Sequence, residues 1–243
     1  MEVGVGEVAR RLGVSESRVR QMLRAGVLAG RRIGRVWVVP SNEVARLERG
    51  PRRAGRPLAP GRAWAVLDLL DHGSAPWLPG VARSQVRAYL THLGEPDPLE
   101  WASLLRQRSR VHRVFAHPAA LPRLERAGGV LTAGPAEASR RGFDLVAVGN
   151  WPREVYVDER VWSAIAEQLA LREAWEPNLT VRVPVGASPF ADHGHVGDVA
   201  LAADLLEAAE PRAVTVGAAY LNERLRAWRA AHSEAAGWPA SRR

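Results

Sequence analysis

The sequence predicts an α+β protein in two parts: a small helical head bearing a β-hairpin, joined by a basic linker to a larger C-terminal body of mixed α/β structure. Charge is the first observation behind this. Residues 1–62 hold 14 Arg against 5 Glu, whereas residues 63–243 hold 20 Arg against 21 Asp and Glu. Periodicity is the second: within the first 48 residues the apolar spacing runs helix, helix, alternating hairpin, helix. The third is a change beyond a Pro-, Gly- and Arg-rich stretch, after which helical segments interleave with short β-prone runs. A basic module on an electrically balanced remainder is the footprint of a nucleic-acid-binding head.

In the head, Val5, Val8, Ala9 and Leu12 fall at i, i+3, i+4 and i+7, one apolar face of a short helix that Gly13 ends. Ser15 is a good N-cap for a second helix, and Val14 and Val19 have the N′ and N4 spacing of a hydrophobic staple. Along that helix Val19, Met22 and Leu23 face inward. Ser17, Gln21 and Arg24 project from the opposite side, with Arg18 and Arg20 on its flanks, until Gly26 stops it. Two short helices joined by a tight Gly turn, the second with an outward polar face, make a helix-turn-helix. In a major groove, Gln can read adenine edges, and Arg guanine edges or phosphates.

Two β-prone runs then flank Gly34-Arg35, the spacing of a two-residue hairpin with Gly at its first central position. Arg31 and Arg32 lie on the rising strand and Arg35 at the tip, a wing placed for a neighbouring phosphate or minor groove. Pro40 ends the strand, and Ser41 caps a closing helix through Val44 and Leu47. The whole stretch GEVARRLGVSESRVRQMLRAGVLAGRRIGRVWVVPSNEVARLE, Gly6 to Glu48, resembles the winged helix-turn-helix of excisionases and the MerR group. That resemblance implies double-stranded DNA binding, with Ser17, Arg18 and Gln21 at the major groove and Arg35 at the flank.

The winged domain is expected over residues 1–50 and the linker over 51–62. Arg52, Arg53 and Arg56 in that linker either lie along phosphates or keep it solvated. The body spans residues 63–236, with 63–127 as a candidate helical subdomain and 237–243 as a frayed tail. Its expected helices are 63–70, 83–93 and 99–106, then 135–141, 159–171, 196–209 and 212–228. The expected strands are 111–115, 129–132, 144–148, 154–157 and 179–185. In the last of these, Leu179, Val181, Val183 and Val185 share one face, with Thr180 and Arg182 on the other.

Composition narrows the chemistry. The chain has no Cys, which excludes disulfides, thiolate catalysis and Cys-ligated zinc, and every basic side chain other than His is Arg. No apolar run approaches the roughly 20 residues that cross a bilayer, and the N-terminus lacks a signal-peptide pattern, so a cytoplasmic protein is expected. Asp192, His193, His195 and Asp198 cluster in a Gly-rich loop without zinc-site spacing and read as a polar loop, not a metal site. Ser139, Ser163, His112 and His117 have no nucleophile or general-base context. No catalytic constellation and no cofactor are expected, and the chain reads as a non-enzyme.

The body has a family likeness of its own. The order Val114–Pro118, Gly129–Gly134, Gly142–Val148, Glu154–Val157, Asn178–Val183, then Asp204-Leu-Leu-Glu207 and Pro211-Arg-Ala213, resembles AbiEi-type antitoxins. This resemblance implies a repressor of its own operon whose body counters a partner nucleotidyltransferase toxin. The head departs from the commoner arrangement in that family, being closer to excisionases. A MerR-like regulator whose body senses a small ligand, or an excisionase-like architectural protein, are the alternatives. An enzyme guided to DNA by its head would need clustered acids or a nucleophile.

Overall fold

The computed structural model describes residues 2–24, 28–34, 36–48, 56–145, 151, 153–174, 176–186, 190 and 194–234. The head runs β1 (Glu2–Gly4), α1 (Val5–Leu12), α2 (Glu16–Arg24), β2 (Arg31–Ile33), β3 (Val36–Pro40) and α3 (Ser41–Glu48). Gly13 adopts φ +61°, the left-handed conformation that ends α1 without a Cβ clash. The Ser15 hydroxyl accepts the Arg18 amide at 3.2 Å, capping α2 as expected. Val14 is exposed, so the staple adds little there. Ile33 pairs with Val36, and Gly34 between them has the positive φ that primed hairpin turns require. α3 begins on Ser41 itself, one residue earlier than a capping Ser41 would place it.

β1 is the element the periodicity does not show. It pairs antiparallel with β3, giving a three-stranded sheet in the order β1-β3-β2. Val5, Val8, Leu12, Val19, Leu23, Leu28, Val39 and Val44 are buried together under it as the head's own core. Gly30 packs so closely there that a Cβ would meet Leu23 Cδ2 at 2.2 Å.

The body opens with three helices, α4 (Pro60–His72), α5 (Gly80–His92) and α6 (Pro98–Leu105), then β4 (Ser109–Phe115). A 3-10 turn (Pro118–Ala120), α7 (Leu121–Glu125), β5 (Val130–Ala133), α8 (Gly134–Arg140), β6 (Arg153–Val157) and α9 (Glu159–Gln168) follow. β7 (Arg172–Glu173), β8 (Leu179–Pro184), α10 (Asp198–Leu205) and α11 (Pro211–Glu234) complete it. The sheet order is β5-β6-β8-β4-β7, with β6 and β8 parallel and the other pairs antiparallel.

Alternation along these strands divides the core in two. Val114, Val155, Val157, Leu179, Val181 and Val183 bury one face with Ile165 of α9 and Leu124 of α7. Tyr156 and Ala133 point to the other face, where they join α4, α5, α6, α8, α10 and α11. The sheet is therefore a middle layer with helices on both sides, a mixed α/β arrangement.

Three expectations change. The helices of residues 63–127 are not a subdomain of their own: Trp64, Leu90 and Trp101 share one cluster with Leu201 and Leu221 of the closing helices. The apolar faces of α4 to α6 are too wide to satisfy one another, so they need α10 and α11. The linker is shorter than 51–62, because Leu58 donates its amide to Leu104 O at 3.1 Å and α4 starts at Pro60. Asp144 and Leu145 are not strand, and Asp144 instead accepts from Arg212 at 2.9 Å. The rest of that expected strand, 146–150, lies outside the described residues.

Candidate nucleic-acid interface

Helix α2 builds the interface. Burial of Val19 and Leu23, with Met22 half-buried beside them, fixes its rotation, and Ser17, Arg18, Arg20 and Gln21 are left exposed. These are the residues the sequence singled out, and the helix carries them side by side. Arg24 lies in the last turn of α2, and its side chain is outside the described residues. On the wing, Arg31 and Arg32 are exposed on β2, and Ile33 and Val36 beside the tip are exposed as well. Arg35, Arg52 and Arg53 lie outside the described residues.

The glutamates sort these guanidiniums into held and unheld groups. Arg20 Nη2 lies 2.6 Å from Glu16 Oε2, one turn away on α2, the favourable i, i+4 order. Arg31 reaches Glu2 at 3.0 Å across the sheet. Arg10 pairs with Glu7. Arg11 makes a two-point bridge to Glu48, at 2.8 and 2.6 Å, that ties α1 to the end of α3. Among the described residues Arg18 takes no carboxylate; its Nη1 donates to Gln21 Oε1 at 2.6 Å. Among the described residues Arg32 has no ion pair. Among the described side chains of α2 and the wing strand, Arg18 and Arg32 are therefore the guanidiniums that no carboxylate offsets.

The Glu16–Arg20 pair was readable from its spacing. The Glu2–Arg31 pair was not, because it depends on β1 joining the sheet.

The body holds a charged cluster of a different kind. Arg108 Nη2 and Nη1 lie 2.8 Å from Asp204 and from Glu207 respectively. Arg182 lies 2.8 Å from Glu207, 3.1 Å from Glu154 and 3.3 Å from Asp204. The Tyr156 hydroxyl donates to Asp204 Oδ1 at 2.7 Å, and Trp64 Nε1 donates to Arg108 O at 2.8 Å. Burial works against charge on Glu207, but Arg182 and Arg108 outweigh it and hold its pKa well below the carboxylate range. Burial pushes Glu154 up instead; Arg182 draws it down, and Asp204 and Glu207 push it up again. Two arginines thus face three carboxyls, and between Glu154 and Glu207 it is Glu154 whose charge is disfavoured.

This cluster lies between the sheet and α10, so β8 is buried on both faces despite Arg182. Asp204, Arg108 and Arg182 are buried, Glu207 keeps 24% of its side chain exposed at the edge, and the cluster serves packing.

In the Gly-rich loop and at the start of α10, Asp198 pairs with Arg141 at 3.1 Å and His195 is exposed. Asp192 and His193 lie outside the described residues, and no metal-holding group of three His, Asp or Glu occurs among the described ones. His112 packs against Trp162 with ring centroids 4.9 Å apart and planes tilted by 31°, and burial lowers its pKa. His117 caps the 3-10 turn by accepting the Ala119 amide. Ser139 donates to Leu145 O at 3.5 Å.

Comparison with known families decides the head. Residues 3–50 match the family model of the helix-turn-helix domain. The head is a helix-turn-helix domain. Over 47 residues the chain is 55% identical to a probable plasmid-partitioning protein ParA of Thermus thermophilus. That likeness covers 19% of this chain and 15% of the relative. No solved structure matches the chain. No described helix is long and apolar enough to cross a membrane.

Proposed function

We infer that this protein is a sequence-specific transcriptional repressor that binds duplex DNA through its helix-turn-helix domain and controls its own operon. The observation that carries this is the exposed row Ser17, Arg18 and Gln21 on α2, opposite the buried Val19 and Leu23. A helix so rotated offers hydrogen-bonding side chains to a groove wide enough to admit it. Arg31 and Arg32 on the wing, together with the Arg surplus of residues 1–62, supply the phosphate contacts that dominate affinity. Acting on DNA, such a protein works in the cytoplasm.

In this reading the body is an AbiEi-like antitoxin domain that holds a nucleotidyltransferase toxin encoded beside it. The support is the order of body motifs, with Asp204 and Glu207 locked to Arg108 and Arg182 in the core. A body whose central charged groups are used for its own packing meets its partner through its surface.

A titration of the full chain against a labelled duplex of its own upstream region, by fluorescence anisotropy, tests the DNA reading. Affinity is expected to fall steeply with salt as counterions are released. Equal affinity for unrelated duplexes of matched length would refute sequence-specific repression. Co-purification with the neighbouring gene's product tests the toxin partner, and failure to associate or to neutralise it ends the antitoxin reading.

A second reading, a ligand-sensing regulator, draws on a cleft of about 250 Å³ beside the sheet, lined by Leu131, Tyr156, Asp158, Pro184 and Phe190. An effector would have to change the salt-dependent affinity for the operator when added at saturating concentration.

A further inference from the structure

Resting on the major-groove role of α2, the geometry points to Arg18 and Gln21 acting as one donor-rich reading unit that selects guanine over adenine. The expectation for an isolated Gln is the reverse. Its amide matches adenine through two bonds, Oε1 accepting from N6–H and Nε2 donating to N7. Here Oε1 is already engaged, since Arg18 Nη1 donates to it at 2.6 Å.

The two residues are three apart on one helix, so their side chains meet over the same turn. Both are exposed, and neither leans on the head's core. What the pair offers outward is the Gln21 amide nitrogen and the remaining guanidinium N–H groups, all donors. Guanine presents two acceptors on its major-groove edge, O6 and N7, whereas adenine places an amino donor beside its N7. An adenine amino group would face guanidinium donors, like against like.

Arg20 does not contribute in the same way. Glu16 holds it at 2.6 Å and offsets its charge. Arg18 is thus the guanidinium on this helix, among the described side chains, that is held by a neutral partner and keeps its full charge. A phosphate contact by Arg18 would leave Gln21 free to read adenine; the observed bond instead directs Arg18 towards the base edges that Gln21 reaches.

The test is selection of duplexes from a randomised library by the full-length protein, its Arg18→Ala variant and its Gln21→Ala variant. The wild type is expected to enrich a guanine at one position, by about tenfold over adenine. Arg18→Ala releases Gln21 Oε1, so the same position should turn towards adenine, while Gln21→Ala should lose preference there. If Arg18→Ala keeps the guanine and only weakens all sequences alike, Arg18 is a phosphate contact and the proposal fails. It fails equally if the wild type enriches adenine at that position. Were the wild type to enrich no sequence at all, the groove-reading role of α2 would fall, a result distinct from a misplaced base preference. Circular dichroism of each variant should match the wild type, because both side chains lie in solvent.

Discussion

Replacing Asp204 by Asn is the sharpest probe of how the body is held together. Asp204 is fully buried, and its Oδ1 receives the Tyr156 hydroxyl at 2.7 Å and an Arg108 nitrogen at 2.8 Å, with Arg182 at 3.3 Å. Asn has nearly the same volume, so the cost is electrostatic and not a cavity. Two guanidiniums that shared Asp204 and Glu207 would then face Glu207 with one fixed negative charge missing. Breaking a buried ion pair from one side costs about 3–5 kcal/mol. That is a large part of the roughly 5–15 kcal/mol that stabilises a typical domain.

The pH dependence gives a second handle. Glu154, with its pKa raised in the folded protein, binds a proton more tightly there than when unfolded. Wild-type stability therefore falls as pH rises from the ordinary carboxylate value through the folded one. Asp204 is one of the charges that raises Glu154, so the variant loses part of this slope. The gap between the two proteins should be widest near the low end of that window and narrow as pH rises. Urea unfolding followed by Trp fluorescence, with Trp64 bonded to Arg108 O as a local reporter, would measure it. A loss below about 1 kcal/mol, or a gap that widens with pH, would refute the view that this cluster is a balanced buried network.

Three further outcomes are expected. Glu16→Gln frees Arg20 and should tighten duplex binding about two- to fivefold at low salt and steepen the salt slope, read by anisotropy; unchanged affinity would show that Arg20 stays away from DNA. Gly217→Ala would put a Cβ 2.5 Å from Ala202 O and 2.9 Å from Leu205 Cβ where α10 and α11 cross, and should cost about 1–3 kcal/mol in thermal or urea unfolding. Asp97→Ala removes a capping box, in which Asp97 accepts from Leu99 and Glu100 and Glu100 answers to the Asp97 amide, and should cost about 1 kcal/mol by the same measurement.

Much of the head was legible in the chain because its signals are local. Ser15 caps the helix it precedes, Gly13 and Gly34 take the positive φ their turns need, and the buried face of α2 is the one its spacing predicts. The same locality exposes Ser17, Arg18, Arg20 and Gln21, so the candidate interface was visible too. β1 was hidden because three residues are too few to show a period, and its partners lie more than 30 positions away. The state of the arginines was hidden for a related reason. Spacing places Arg18 and Gln21 on one turn, but not the bond between them.

In the body, the positions of most helices and strands follow from apolar spacing, since each element needs one face out of water. Which faces meet does not. Arg108, Glu154, Tyr156, Arg182, Asp204 and Glu207 are scattered over a hundred positions, and each taken singly reads as a surface group or an ordinary strand residue. Only when α10 is laid across β6 and β8 do they come within hydrogen-bonding distance and turn an amphipathic strand into one buried on both sides. Local preference is encoded by neighbours along the chain. Pairing of buried charges depends on distances that exist once the layers have closed.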